Sequence, residues 1–317
     1  MTCFSKLLSW LAVPFLLGIL TLPAQATSIL VIESYLHGYP WDASYKRGLA
    51  SLLPQAAFSY FEMDTKRLPP DQHVQQAELA WQRYLDTKPD LVVFGDDNAL
   101  KYLGPKFRFT ETPVVFLGIN NNLRTYDLYP LVNITGVLER PMMKRNIAFI
   151  NRLMGHRLKK LLVLFDSGTT SKVIKSEVFN DVDRMRIGGV EVHLRLLAKE
   201  SEWHQTVREA KQNGFQAVIV GLFHTLVDER GINVNSEDLL AWTNENTPVP
   251  PFGFWDFGVG ARRTVGGYVL DGYQHGREAA GLIKDILAGK SPADLFPITG
   301  NQGRLLFSKK MDWSDGV

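Results

Sequence analysis

The sequence predicts an α/β protein that consists of two doubly wound lobes, each built on a parallel sheet. Apolar runs such as residues 91–94 and 114–117 are too short for buried helices and do not alternate, which is typical of strands covered on both faces. Segments with helical spacing separate these runs. The alternation of strand and helix occurs twice, first before residue 133 and again after Pro141.

The first set of elements predicts one lobe whose polar loops share an edge. Its buried strands are expected at residues 28–33, 58–63, 91–94 and 114–117, with an edge strand at 133–137. Its helices are expected at residues 45–53, 71–85 and 99–103, with Asp71 capping the second and Asp96, Asp97 and Asn98 capping the third. The carboxyl ends of parallel strands meet at one edge, where ligands bind in such sheets.

The second set repeats this pattern and is followed by a tail. Strands are expected at residues 161–165, 190–197, 217–220 and 249–257, and helices at 146–154, 171–187, 204–212 and 236–242. Gly188-Gly189 is expected to end the helix at 171–187, and Ser236 to cap the last helix. The tail adds an extended segment at 266–272, a helix at 275–287 and a strand at 304–307. Two such sets joined by extended crossings predict a cleft that closes on a ligand by hinge bending.

The N-terminus has the pattern of a secretory signal peptide. Lys6 precedes an apolar run at residues 7–22, and Pro23-Ala24-Gln25-Ala26 offers a small-residue cleavage site after Ala26. The alternative is a retained membrane anchor, which typically needs about twenty apolar residues and no cleavage motif. Cleavage would remove Cys3, the single cysteine, so the mature chain would form no disulfide, and a bacterial periplasm is expected.

The composition excludes some classes of partner. The chain is 45% hydrophobic and 21% charged, and loss of Lys6 leaves 34 basic against 33 acidic residues. Such a balance gives no electrostatic footprint for nucleic acid or anionic lipid. The histidines have no zinc-type spacing, so neither a metal nor another cofactor is expected.

The candidate ligand residues of the first lobe follow its predicted strands. They are the aromatic residues Tyr35, Tyr39 and Trp41 and the polar residues Asp97, Asn98 and Asn120. Aromatic rings that line a cleft stack on a flat ligand, and carboxylate or amide oxygens accept hydrogen bonds from its amines or hydroxyls. There are structural alternatives. Aromatic side chains beside the start of a helix often only pack over the hydrophobic core, and an Asp or Asn at that position often only caps the helix.

The candidates of the second lobe follow strands or a crossing between lobes. They are Ser167, Thr169, Thr170, His224, Trp255, Asp256 and Tyr273. A helix that starts directly after a strand presents amide and hydroxyl donors to a ligand carboxylate, although a plain capped turn gives the same sequence.

A hydrolase is a competing hypothesis for one of these loops. Residues 163–170 fit the aspartic-protease pattern, in which Asp166 would share a proton with a second aspartate to activate water. The best second loop, Asp271-Gly272-Tyr273, is a poor match, and a helix rather than a strand is expected after Asp166. Both observations argue against a hydrolase.

Several short motifs recur in a fixed order along the mature chain. They occupy residues 33–41, 63–67, 94–100, 113–120, 134–137, 276–280 and 287–292. With these motifs the chain resembles the type 1 periplasmic binding proteins, in particular the ABC-transporter substrate-binding family, whose members also serve as sensor modules of bacterial signalling receptors. The resemblance implies two lobes joined by three crossover segments. It implies an N-terminal lobe of residues 27–138 and 264–296, and a C-terminal lobe of residues 139–263 and 297–317.

The resemblance also implies a function. We expect a monomeric, non-catalytic solute-binding protein of an ABC-type importer, which delivers a small organic ligand to a membrane permease. The aromatic candidates favour an aromatic or amino-acid-like ligand. The alternative is a periplasmic ligand sensor that docks on a membrane signalling receptor, and the sequence does not separate the two.

Overall fold

The computed structural model describes residues 26–36, 38–300 and 302–308. The predicted signal peptide lies outside these residues except for Ala26, so its cleavage stays a prediction. Among the helices of the described part, none combines the length and the apolar character needed to cross a bilayer.

The chain forms two sheets with helices packed against both. In chain order, the strands are β1 (Ser28–Glu33), β2 (Ala57–Glu62), β3 (Leu91–Gly95), β4 (Val114–Ile119), β5 (Ile134–Glu139), β6 (Lys160–Asp166), β7 (Arg184–Ile187), β8 (Val190–Leu197), β9 (Ala217–Val220), β10 (Pro251–Gly253), β11 (Gly266–Leu270), β12 (Ile298–Gly300) and β13 (Gly303–Phe307). The helices are α1 (Pro40–Leu52), α2 (His73–Thr87), α3 (Asp96–Phe107), α4 (Met143–Leu153), α5 (Thr169–Phe179), α6 (Glu200–Arg208), α7 (Ser236–Asn246) and α8 (Gly272–Leu287).

The first sheet is parallel throughout, in the order β12-β5-β4-β3-β1-β2. The second sheet has the order β13-β11-β10-β9-β6-β8-β7; its inner pairs are parallel, and its edge strands β13 and β7 are antiparallel to their neighbours. Every residue of β3 and β4 is buried, as expected for strands with helices on both faces. The predicted α/β class with two parallel-dominated sheets is therefore confirmed.

The last long helix returns to the first lobe, where α8 packs on α1. The two backbones approach closely because both helices carry glycine at the contact. A Cβ atom at Gly276 would lie 2.1 Å from the carbonyl oxygen of Tyr45, and one at Gly48 would lie 2.1 Å from that of Tyr273. One apolar cluster runs through both lobes, and smaller clusters cover the opposite faces of the two sheets.

One predicted helix was wrong in its C-terminal part, residues 180–187. The segment at 171–187 was expected to be helical up to Gly188-Gly189, but α5 ends at Phe179, and β7 pairs with β8 as a hairpin. Both glycines have positive φ, at 56° and 84°. Two consecutive positive-φ residues match the twist of a tight two-residue hairpin, so these glycines connect strands rather than end a helix.

Several predicted limits also differ. The division into lobes stays a prediction, but β11 pairs in the second sheet and β12 in the first, opposite to the lobes predicted for their segments. Along the chain, β11 pairs with β10 before the chain crosses to α8, and β12 pairs with β5 before the chain returns to the second sheet as β13. The strand at residues 133–137 was predicted to lie at the edge of its sheet, but β12 pairs with it, as β5, and forms that edge instead. The strand predicted at 249–257 is β10, only Pro251–Gly253.

Two helix caps were assigned to the wrong residue. The side chain of Asn235, not Ser236, accepts hydrogen bonds from the amides at the start of α7. Asp71 lies inside a short 3-10 turn, Pro70–Gln72, that precedes α2.

Candidate ligand-binding site

The loops that follow the carboxyl ends of both sheets face each other across a small cavity. Its volume is about 10 Å³, roughly the space that one water molecule needs. It is lined by Tyr35, Tyr39, Trp41, Asp96, Glu139, Thr170, Leu222, Trp255 and Phe257. We call this space the inner cavity. Its walls come from both lobes, so its size depends on the distance between them.

Tyr35 and Tyr39 connect the lobes directly. The Tyr35 hydroxyl donates to Asp96 Oδ1 at 3.0 Å and lies 3.1 Å from the Thr170 hydroxyl of the other lobe. The Tyr39 ring meets the His224 ring edge to face, with centroids 4.8 Å apart. Burial, reinforced by the nearby charge of Lys66, lowers the pKa of His224 to about 3, so this ring is neutral.

Two carboxyl groups face the inner cavity. Burial raises the pKa of Asp96 well above its usual range, and Glu139 and Asp97 add to the effect. Burial also raises the pKa of Glu139 to about 8, and Trp255 Nε1 of the other lobe donates to its Oε1 at 2.8 Å. Sequence reasoning placed Asp96 only as a cap and did not select Glu139, the last residue of β5.

Unpaired polar atoms meet beside Gly118. Within the described part of the chain, neither Trp41 Nε1 nor Asp96 Oδ2 has a hydrogen-bond partner, although both atoms are buried. A Cβ atom at Gly118 would lie 3.2 Å from the former and 3.3 Å from the latter. Buried polar atoms are normally paired, so both atoms are free to bind a polar solute.

Solved structures resemble this architecture, although no protein-family model matches the chain and no curated protein does. An ABC domain from Streptococcus pneumonia, solved in complex with L-Trp, aligns with a TM-score of 0.62 at 17% identity, over 89% of this chain and 92% of that one. A conserved domain protein from Vibrio cholerae aligns at 0.63 and 16% identity, over 90% and 92%. A substrate-binding protein with adhesive properties from Clostridium difficile, in a ligand-free, open form, aligns at 0.60 and 10% identity, over 92% and 98%.

The fold is that of a type 1 periplasmic binding protein. The expected fold is therefore confirmed. At such low identity the similarity does not extend to the ligand, and the site must be interpreted from this chain's own residues.

In this type 1 fold, three predicted polar residues of the first lobe have structural partners. Asp97 accepts hydrogen bonds from the amides of Asn120 and Asn121, both at 3.1 Å, and from the Tyr126 hydroxyl at 2.9 Å. Asp97 and Asn120 therefore join β4 to α3 and do not line the inner cavity. Asn98 Nδ2 donates to the hydroxyl of Thr65 at 2.7 Å.

None of the three residues predicted to cap α3 does so. The cap comes from the neighbouring strand, where Ser34 Oγ accepts from the amide of Ala99 at 2.8 Å and donates to the carbonyl of Gly95. Asp96 instead adopts a left-handed backbone conformation with φ of 70°, which directs its carboxylate at the cavity.

Asp166 organises the loops of the second lobe. Its carboxylate accepts from the amides of Gly168 and Thr225, both at 3.1 Å, and from the Ser171 hydroxyl at 2.6 Å. Burial raises the pKa of Asp166, but Lys66 and these hydrogen bonds outweigh burial and hold the pKa below its usual range. An ionised carboxylate with three donors ties two loops together, and this arrangement does not favour the shared proton of an aspartic hydrolase.

A larger space adjoins the inner cavity, and we call it the outer chamber. Its volume is about 450 Å³. It is lined by Tyr35, Thr65, Lys66, Arg67, Leu68, Pro69, Pro70, His73, Asn98, Ser167, Gly168, Thr169, Thr170, Lys172, Thr225, Val227, Gly231 and Asn233. Tyr35 and Thr170 line both spaces, so their hydroxyl contact marks the partition between them.

The structure thus brings most predicted site residues together. Five line the inner cavity: Tyr35, Tyr39, Trp41, Thr170 and Trp255. Ser167, Thr169 and Asn98 line the outer chamber, and His224 lies behind Tyr39. Asp256 and Tyr273 line neither space; Asp256 lies 3.7 Å from Arg304, and Tyr273 is partly exposed at the start of α8. No cluster of three potential metal ligands occurs in the part of the chain that the structure describes.

Proposed function

We propose that this protein is a periplasmic solute-binding protein of an ABC-type importer, which binds an aromatic or amino-acid-like solute between its lobes. The observation that carries the proposal is the composition of the inner cavity. Aromatic rings from both lobes surround two carboxyl groups, and a free indole donor lies beside them. Rings stack on a flat solute, and the carboxylates bind a protonated nitrogen.

Lobe movement is part of the proposal because the inner cavity is too small for an organic solute. The hydroxyl pair of Tyr35 and Thr170 and the Trp255 to Glu139 hydrogen bond hold the lobes together. A solute would enter when these contacts separate and would then replace them with its own polar groups. Burial favours the neutral acid form of both carboxyl groups when no solute is bound. A bound cationic solute would favour their ionised form, because an opposite charge nearby stabilises a carboxylate.

The similar structures support a binding role. One was solved with L-Trp, and another is described as a substrate-binding protein. Export to the periplasm is supported by the predicted signal peptide. Delivery to a membrane permease follows from the resemblance to the substrate-binding family.

A thermal-shift screen of the mature protein against amino acids, aromatic amines, nucleosides and sugars tests this proposal. A solute at about a hundred times its Kd adds roughly 2.7 kcal/mol to stability. Asp96→Asn and Trp41→Phe should weaken the shift, and Lys284→Met, at an exposed position of α8, should leave it unchanged. Shifts that persist in both site variants, or appear only with sugars, would contradict the proposal.

A further inference from the structure

The inner cavity and the outer chamber differ in the ionisable residues that line them. Two carboxyl groups, Asp96 and Glu139, line the inner cavity, and no described lysine or arginine does. The outer chamber has the reverse pattern: Lys66, Arg67 and Lys172 line it, and none of its described lining residues is Asp or Glu. The partition formed by Tyr35 and Thr170 therefore separates acidic lining residues from basic ones.

Lys66 is the most informative of these cations. Its side chain is only 7% exposed. Arg67 is balanced by Asp64, with Nε 2.9 Å from Oδ1, but the ammonium of Lys66 has neither an ion pair nor a hydrogen bond among the described residues. It lies 4.3 Å from the centroid of the Tyr35 ring, at the inner end of the chamber. The charge of Lys66 helps to hold the pKa of Asp166 below its usual range, but no ion pair joins the two residues, so a bound anion would give the buried ammonium a direct partner.

Hydrogen-bond donors converge on the same chamber. Residues 167–170 span the start of α5, an 11-residue helix that has no side-chain cap within the described part. Its first amides therefore point out of the helix end, where the helix dipole favours negative charge. On the adjacent loop, Thr225 Oγ1 is buried and has no described partner. Amides, a hydroxyl and an ammonium together form the donor set that binds oxyanions.

We propose that the outer chamber is an oxyanion subsite, which holds a carboxylate, phosphate or sulfonate group of the solute whose body occupies the inner cavity. This inference rests on the proposed function and narrows it to dipolar solutes. The cationic nitrogen binds at Asp96 and Glu139, and the oxyanion binds between Lys66 and the start of α5. The chain of the solute passes the partition when Tyr35 and Thr170 separate.

Inorganic phosphate is the first probe, compared with chloride at equal ionic strength. Phosphate should raise the melting temperature of the wild type. Lys66→Met and Lys172→Met should each raise the apparent Kd for phosphate about tenfold, which is the effect of losing one charge-assisted contact. Lys172 is exposed, so Lys172→Met should fold normally. It therefore tests the proposal even if Lys66→Met fails to fold. The matched control is Lys284→Met. Equal stabilisation by chloride, or equal phosphate binding in the variants and the control, would overturn the proposal.

Matched indoles then distinguish a solute-borne oxyanion from a free one. Tryptamine carries only the amine, indole-3-propionate only the acid, and L-tryptophan both. We expect L-tryptophan to bind best, Lys66→Met to reduce its affinity to that of tryptamine, and phosphate to compete with L-tryptophan but not with tryptamine. Equal wild-type affinity for tryptamine and L-tryptophan would overturn the inference that the chamber holds the oxyanion of the solute.

The two proposals fail in different ways. If no organic solute binds while phosphate binding depends on Lys66, the oxyanion chamber is supported and the proposed solute class is wrong. If solutes bind through Asp96 with the same affinity in Lys66→Met and Lys172→Met, the proposed function is supported and the chamber inference is wrong.

Discussion

Replacing Glu139 by glutamine should make the protein more stable, and increasingly so as the pH rises. Burial raises the pKa of Glu139 from 4.5 to about 8. As pH rises through 4.5, the unfolded chain loses this proton first, while the folded protein retains it until about pH 8. In that window the folded state binds more protons, so stability falls as the pH rises. Glutamine keeps the oxygen that accepts from Trp255 and never ionises.

The magnitude follows from the two pKa values. A pKa that moves from 4.5 to about 8 corresponds to roughly 5 kcal/mol between the protonation states. Most of this difference falls between pH 5 and pH 8. We therefore expect the advantage of Glu139→Gln over the wild type to grow by roughly 3–4 kcal/mol across that interval. At pH 5, where both side chains are neutral in the folded protein, the two proteins should be similar.

Urea unfolding followed by circular dichroism at pH 5, 6, 7 and 8 measures this difference. Glu111→Gln, at an exposed position, is the matched control and should stay within about 0.5 kcal/mol of the wild type at every pH. If the difference between Glu139→Gln and the wild type is the same at pH 5 and pH 8, the carboxyl group does not retain its proton in the folded protein, and the electrostatic description of the cavity is wrong.

Three further substitutions test the contacts that position the site. Ser34→Ala removes the cap of the Ala99 amide and should cost about 1–2 kcal/mol in urea unfolding; the exposed Ser51→Ala is its control, and equal losses would contradict the capping role. Trp255→Phe leaves the buried carboxyl of Glu139 without its donor and should weaken the contact between the lobes by about 1–3 kcal/mol. A radius of gyration equal to that of the wild type in solution scattering, both without and with a solute, would count against this expectation. Gly276→Ala forces α8 away from α1 and should cost about 2–3 kcal/mol; unaltered thermal stability would show that the helices separate freely.

The buried strands were predictable because their signal is local. Residues 91–94, 114–117, 161–165 and 217–220 lie within β3, β4, β6 and β9. A strand covered on both faces needs apolar side chains at consecutive positions, and few other short elements do. The same reasoning placed the polar loops at the carboxyl ends of the strands, which is why five of the predicted residues line the inner cavity.

The acidic part of the site could not be predicted because it depends on backbone conformation. Asp96 and Asp97 are adjacent and chemically identical, yet one faces the cavity and the other accepts bonds from the loop after β4. The difference follows from the left-handed φ of Asp96. Aspartate is one of the residues that adopt this conformation more often than most, but two adjacent aspartates give no signal for which of them does. The Gly188-Gly189 pair did carry a signal: the same dipeptide is typical of a hairpin turn as well as of a helix end.

The close contact between α8 and α1 determines when the first lobe acquires its structure during synthesis. Tyr45 and Leu49 of α1 are buried, and α8 is made only after the whole second sheet up to β11. A nascent chain that has emerged only as far as residue 271 therefore leaves the apolar face of α1 in its first lobe uncovered until α8 is synthesised. Unlike domains that follow one another along a chain and fold in turn, these lobes become complete together, and a fragment truncated before α8 should aggregate rather than yield a stable half.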